Sequence, residues 1–219
     1  MLAMTYVKPV SHFSIWYKGL SQFTGISTAV FSCLILIDWA FNIKILCSFS
    51  PDTSAMRMDA VFSLLLMGLA LWQLPEVGIV RLYAILILCV GLFAIAEYIW
   101  QFDININPIF SKDPIVSIDL TSNTNNLSTI VNYLLIGIAL FLITLDDNWI
   151  LASQICAVAV SLIGLWDLLN YMYGMSDHGT YFNTPPQFFA AFILIALALL
   201  LARPDKGVMI VITGDNLGG

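Results

Sequence analysis

Charged side chains are what this sequence has least of: Asp, Glu, Lys and Arg make up 10% of 219 residues. Soluble domains carry about 25%, so a water-facing globular fold is excluded. Histidine is nearly missing too. The two present, His12 and His178, lie before the first apolar run and in a later loop, on opposite sides of any membrane topology, which removes a histidine-ligated haem. No lysine falls within an apolar run, since Lys44 stands at the end of one, and retinal-type Schiff-base chemistry goes with it. The four cysteines show no Cys-x-x-Cys spacing; Cys33, Cys89 and Cys156 lie inside apolar runs and Cys47 near an end, as packing residues do. Lysine and arginine form no cluster that would read as a nucleic-acid or anionic-lipid patch. Paired metal-ligand histidines, phosphate-cradling glycine loops, kinase motifs and nucleophile elbows are all lacking. The sequence specifies no cofactor and no catalytic residue.

Apolar residues are abundant: 60% of the chain, with a mean hydropathy of +0.91. A helix crossing the hydrocarbon core takes about 20 such residues, and six runs come near that length: 20–46, 56–74, 79–100, 127–145, 149–173 and 185–202. None alternates with the period of two that a transmembrane barrel demands. The expected fold is all-α, a polytopic bundle of about six membrane helices over 20–202, with an N-terminal segment 1–19 and a C-terminal tail 203–219. No Ala-x-Ala cleavage pattern follows the first run, so that helix reads as retained.

With six spans and the N-terminus inside, Lys8, Lys18, Arg81, Arg203 and Lys206 fall on the cytoplasmic side, and Lys44, Arg57 and Lys112 outside. That bias favours both termini in the cytoplasm. The connections 73–78 and 146–148 become short cytoplasmic turns. The longest outer connection, 101–126, contains a Thr-Ser-Asn-Thr-Asn-Asn run of turn formers, and 173–186 carries Pro185-Pro186 into the last span.

Three acids fall within spans: Asp38, Glu97 and Asp167. A charge at the bilayer centre costs roughly 2.5–3.5 kcal/mol on insertion scales, which makes each a candidate polar site. All three lie in the outer part of outward-running helices, and close packing of those helices would let the carboxyls share a layer and a proton. Trp39, Tyr98, Trp100, Trp166 and Tyr171 are the aromatic candidates to partner them, and also residues of the type that marks a membrane interface.

The chain repeats itself. Gly68-Leu69-Ala70-Leu71 recurs as Gly137-Ile138-Ala139-Leu140, an offset of 69, and Glu97 recurs as Asp167, an offset of 70. A half copy, Leu194-Ile195-Ala196-Leu197-Ala198-Leu199, follows. Because an even number of crossings separates the copies, the repeat is parallel, unlike the inverted repeats of many transporters. Gly68, Gly91, Gly137 and Gly164 are places for close helix approach.

The hairpin core, Glu97-Tyr98 followed by Phe102-Asp103-Ile104-Asn105-Ile106-Asn107, the later Tyr171-Met172-Tyr173-Gly174, and the terminal Leu201-Ala202-Arg203-Pro204-Asp205-Lys206-Gly207 together resemble the N-terminal multi-helix membrane region that precedes PAS, histidine-kinase or diguanylate-cyclase domains in bacterial signalling proteins. The chain departs from that pattern at Asp59-Ala60, Asn132-Tyr133 and Phe188-Phe189, where a Thr-Ala step is common, and at Asn107, where aspartate is usual. The resemblance implies a sensory module without catalysis, because no effector domain follows, with Arg203, Pro204, Asp205, Lys206 and Gly207 as the coupling junction. The alternatives are an accessory subunit contacting lipids or pigments in a larger membrane complex, and a small transporter using the three acids. The expected partners are membrane lipids and either other membrane subunits or further copies of the chain.

Overall fold

The computed structural model describes residues 12–41, 58–100, 127–173, 186–204, 206, 207 and 209. Within them the fold is all-α: α1 His12–Phe41, α2 Met58–Trp72, α3 Val77–Trp100, α4 Leu127–Ile143, α5 Ile150–Met172 and α6 Pro186–Ala202, with a 3-10 turn Asp147–Trp149 leading into α5. Three stretches, Trp16–Asp38, Val77–Trp100 and Asp147–Met172, are long and apolar enough to cross a membrane; the helices at Asp59–Trp72, Leu127–Ile143 and Gln187–Ala202 are apolar but shorter. α1 begins at His12, eight residues before the apolar run that starts at 20. Hydropathy marks what enters hydrocarbon, whereas the backbone ladder runs on through Tyr17 and Lys18 in a polar setting where helix geometry still satisfies every peptide group.

Turn chemistry sets the short connections. After α2, Gln73 N–H donates to Leu69 O (3.0 Å) and Glu76 N–H to Gln73 O (2.8 Å), and Pro75 stands in the turn, where it needs no donor. After α4, Thr144 N–H donates to Phe141 O and Leu145 N–H to Leu142 O, both at 3.1 Å. The first turn reverses the chain in four residues, 73–76, and the second in six, 144–149, the 3-10 turn included.

Each helix packs chiefly on its neighbours in sequence, and α6 returns to pack on α1, so the six close into a ring. α2, α4 and α6 also touch one another across the middle, while no extensive contact joins α1, α3 and α5. Burial follows this division. α4 buries nine of its 17 residues, from Thr129 to Ile143, and α3 buries six of 24, a single stripe of Val80, Ala84, Ile87, Gly91, Ala94 and Glu97. The inner helices therefore carry the core, centred on Leu64, Met67, Leu71, Tyr133, Ile136, Leu140, Phe192, Ile195 and Leu199. Tyr133 and Phe192 meet edge to face, ring centroids 5.9 Å apart. The outer helices present Phe23, Val30, Leu34, Leu82, Leu92, Ile155 and Leu162 outward. A continuous apolar exterior of that kind is a liability in water and the ordinary condition of a protein solvated by lipid chains.

Several polar side chains in this apolar setting are bonded locally. In α1, Thr24, Thr28 and Ser32 each donate to the carbonyl four residues back, all at 2.9 Å, so these three hydroxyls enter the helix without leaving an orphaned donor.

Candidate functional site

The outer helices share a register. Counting back from Asp38, Glu97 and Asp167, the buried residues are Ile35, Ala94 and Gly164 three positions earlier, Thr28, Ile87 and Ala157 ten earlier, and Ser21, Val80 and Ile150 seventeen earlier. A step of three or four residues keeps one stripe turned inward; among the described residues it ends on the acid in α1 and α3 and runs one step further, to Asn170, in α5. Asp38, Glu97 and Asp167 are all buried, at 4%, 9% and 3% exposure. The Ser128 side chain at the start of α4 lies near the Asp167 carboxyl. Each acid is thus set into the seam between an outer helix and the inner core. The three lie on helices that do not pack on one another to any extent, so they stand in separate seams.

The aromatic candidates lie elsewhere. Tyr98, Trp100, Trp166 and Tyr171 are all exposed beside buried acids, facing the surroundings of the bundle, and the Trp39 side chain lies outside the described residues. Sequence reading passed over Asn132, which is fully buried one helical turn after Ser128, with both amide atoms lacking a hydrogen-bond partner among the described residues. The signal for it was available: a lone asparagine in an apolar run is costly unless something bonds it.

The opposite end of the bundle is cross-linked by polar groups. Ser153 Oγ in α5 donates to Ala139 O in α4 (2.8 Å), and Arg81 Nη2 in α3 donates to Thr144 O at the end of α4 (3.0 Å). Gln154, 2% exposed, donates through Nε2 to Lys206 O at 3.0 Å and Arg203 O at 3.3 Å. It holds the chain where it leaves α6. Lys206 forms an ion pair with Asp147 at the start of α5, and Pro204 is buried. Gly207 has φ +65°, and a Cβ there would collide with Gln154 Oε1. Glycine is the residue that adopts this left-handed geometry without strain. Of the junction residues 203–207, only Asp205 lies outside the described residues.

Among the described residues no group of three or more His, Cys, Asp and Glu side chains is placed to hold a metal. No family model, no curated protein and no solved structure matches this chain.

Proposed function

We propose that the chain is a six-span module of a bacterial cytoplasmic membrane, built from three parallel helix hairpins, that senses or relays a signal without catalysis, its output leaving through Arg203 to Gly207 at the cytoplasmic end. The observation that carries this reading is the clamp of Gln154 on the exit segment. α5 bears Asp167 near one end and Gln154 near the other. Thirteen residues at 1.5 Å each separate them, about 20 Å. A shift of α5 at the acid end therefore moves the carbonyls it grips at the exit, and a signal requires that kind of element with two placements of different affinity for the stimulus. The matched burial of the three hairpins supports the parallel repeat, and the closed ring of apolar helices supports six spans, the shorter inner ones crossing nearly upright.

The test is hydrogen exchange on the intact protein in lipid nanodiscs. Asp167→Asn is expected to change amide exchange in 203–209 several-fold, whereas the lipid-facing Leu162→Ala leaves that segment unchanged. Equal exchange in both variants and the parent would remove the relay. Gentle extraction from the native membrane separates the other roles: constant stoichiometry within a large complex would make the chain an accessory subunit. Flux in proteoliposomes that disappears in Glu97→Gln and Asp167→Asn would make it a transporter.

A further inference from the structure

The ends of the three inner helices converge on a cavity of about 320 Å³, lined by Leu74 after α2, Ile143 and Thr144 at the end of α4, and Ala202 and Arg203 at the end of α6, with Lys18, Ser21 and Gln22 of α1 closing one side. We propose that this cavity is a binding site for a phosphate-bearing anion, held between Arg203, Lys18 and the Ser21 hydroxyl.

Charge is the first support. Arg203 and Lys18 line the cavity, and among the described residues no carboxylate does. The acid that feels Arg203, Asp147, is already engaged by Lys206. The second support is an unused donor: Ser21 is 0% exposed, and its Oγ has no hydrogen-bond partner among the described residues. Other polar groups nearby are committed. Leu69, Phe141 and Leu142 carbonyls accept from the turns, Thr144 O accepts from Arg81, Thr144 Oγ1 donates to Phe141 O, and Arg203 O accepts from Gln154. The helix ends, whose partial negative charge would otherwise draw in Arg203, are thus largely satisfied by other donors. Arg203 itself makes no side-chain hydrogen bond among the described residues, and its planar guanidinium suits two oxygens of a phosphate.

Size and place narrow the ligand. Pockets for small molecules run from about 300 Å³ upward, so this one takes a head group or a small phosphorylated compound. Leu74, Val77, Ile143 and Ala202 make part of the wall apolar, which fits either a lipid entering from the membrane side or a soluble phosphate entering from the water. The site is independent of the signalling reading, and its failure would leave that reading standing.

The experiment is thermal melting of the delipidated, detergent-solubilised protein against inorganic phosphate, dioleoylphosphatidic acid and, as a neutral control, dioleoylphosphatidylcholine. Stabilisation by phosphate and phosphatidic acid identifies a soluble anion as a sufficient ligand. Stabilisation by phosphatidic acid alone identifies a lipid head group. In either case Arg203→Gln is expected to raise the apparent Kd about tenfold, as loss of a charge-assisted hydrogen bond does, Ser21→Ala about threefold, and Arg203→Lys to recover part of the loss. The melting of each variant without anion reports its folding. The proposal is overturned if neither anion stabilises the parent more than phosphatidylcholine does, or if Arg203→Gln with Lys18→Gln responds as the parent does.

Discussion

Of the helical glycines, Gly25 and Gly68 make the closest approach to a neighbouring backbone, between α1 and α2, and they give a sharp test of the packing. A Cβ added at Gly25 would stand 2.6 Å from Trp72 N and 2.8 Å from Gly68 O; one added at Gly68 would stand 2.6 Å from Ala29 N and 2.8 Å from Gly25 O. All four obstructing atoms are backbone, so no rotamer change relieves the clash and the helices must separate. Forcing a methyl into a packed core costs about 1–3 kcal/mol, and rigid neighbours on both sides place Gly68→Ala at the top of that range, about 3 kcal/mol. Alanine regains about 1 kcal/mol of helix propensity. The net expectation for Gly68→Ala, and for Gly25→Ala, is a loss of about 2 kcal/mol.

Other glycines calibrate this value. At Gly91 and Gly137 the obstructing atoms are mainly the branched ends of Leu134 and Leu88, at 2.8 Å. Leu134 and Leu88 are half-buried, flexible side chains; if they yield by rotation, the propensity gain brings the net effect of either alanine near zero, within about 1 kcal/mol. Gly19 and Gly78 meet nothing within 4 Å, and their alanine variants should gain about 0.5–1 kcal/mol. Reversible unfolding in mixed micelles, read by tryptophan fluorescence, ranks all six. The reasoning fails if Gly68→Ala is as stable as the parent, or if Gly19→Ala loses as much as Gly68→Ala.

Gly207→Ala combines a left-handed φ with a collision against Gln154; it should cost about 1 kcal/mol or more and raise amide exchange in 203–209 while leaving the helices protected. Gln154→Ala should release the same segment, since two carbonyls lose their donor, with a stability loss of about 1–3 kcal/mol by the same unfolding assay. Asn132→Leu should stabilise by about 1 kcal/mol, because it replaces a buried amide whose atoms lack partners among the described residues with an apolar side chain of similar volume; a loss instead would show that the amide is bonded in the membrane. The exposed Asp147–Lys206 pair should matter little, so Asp147→Asn ought to leave the melting temperature within error at high salt, where such pairs are screened.

What the sequence conveyed and what it withheld have separate physical causes. Helix content and the two tight turns follow from local properties: apolar runs near membrane length, with Pro75 and the Thr144 to Asn148 stretch interrupting them. The offset of 70 between Glu97 and Asp167 drew attention to both, and they take matching places in the α3 and α5 stripes, as Asp38 does in α1. Whether three acids converge is a question of helix neighbours, and local pattern is blind to it; the short helices α2, α4 and α6 take the middle and keep the acid-bearing helices apart. Shortness itself was the overlooked signal, for an inner helix shielded by its neighbours has less hydrocarbon to meet than an outer one. The basic site was hidden for the same reason. Lys18 and Arg203 are 185 positions apart and form no cluster along the chain, yet closing a ring of six helices must bring the start of the first beside the end of the last. A ring of this kind places one cation from each terminus at a shared mouth, whatever the residues between them spell out.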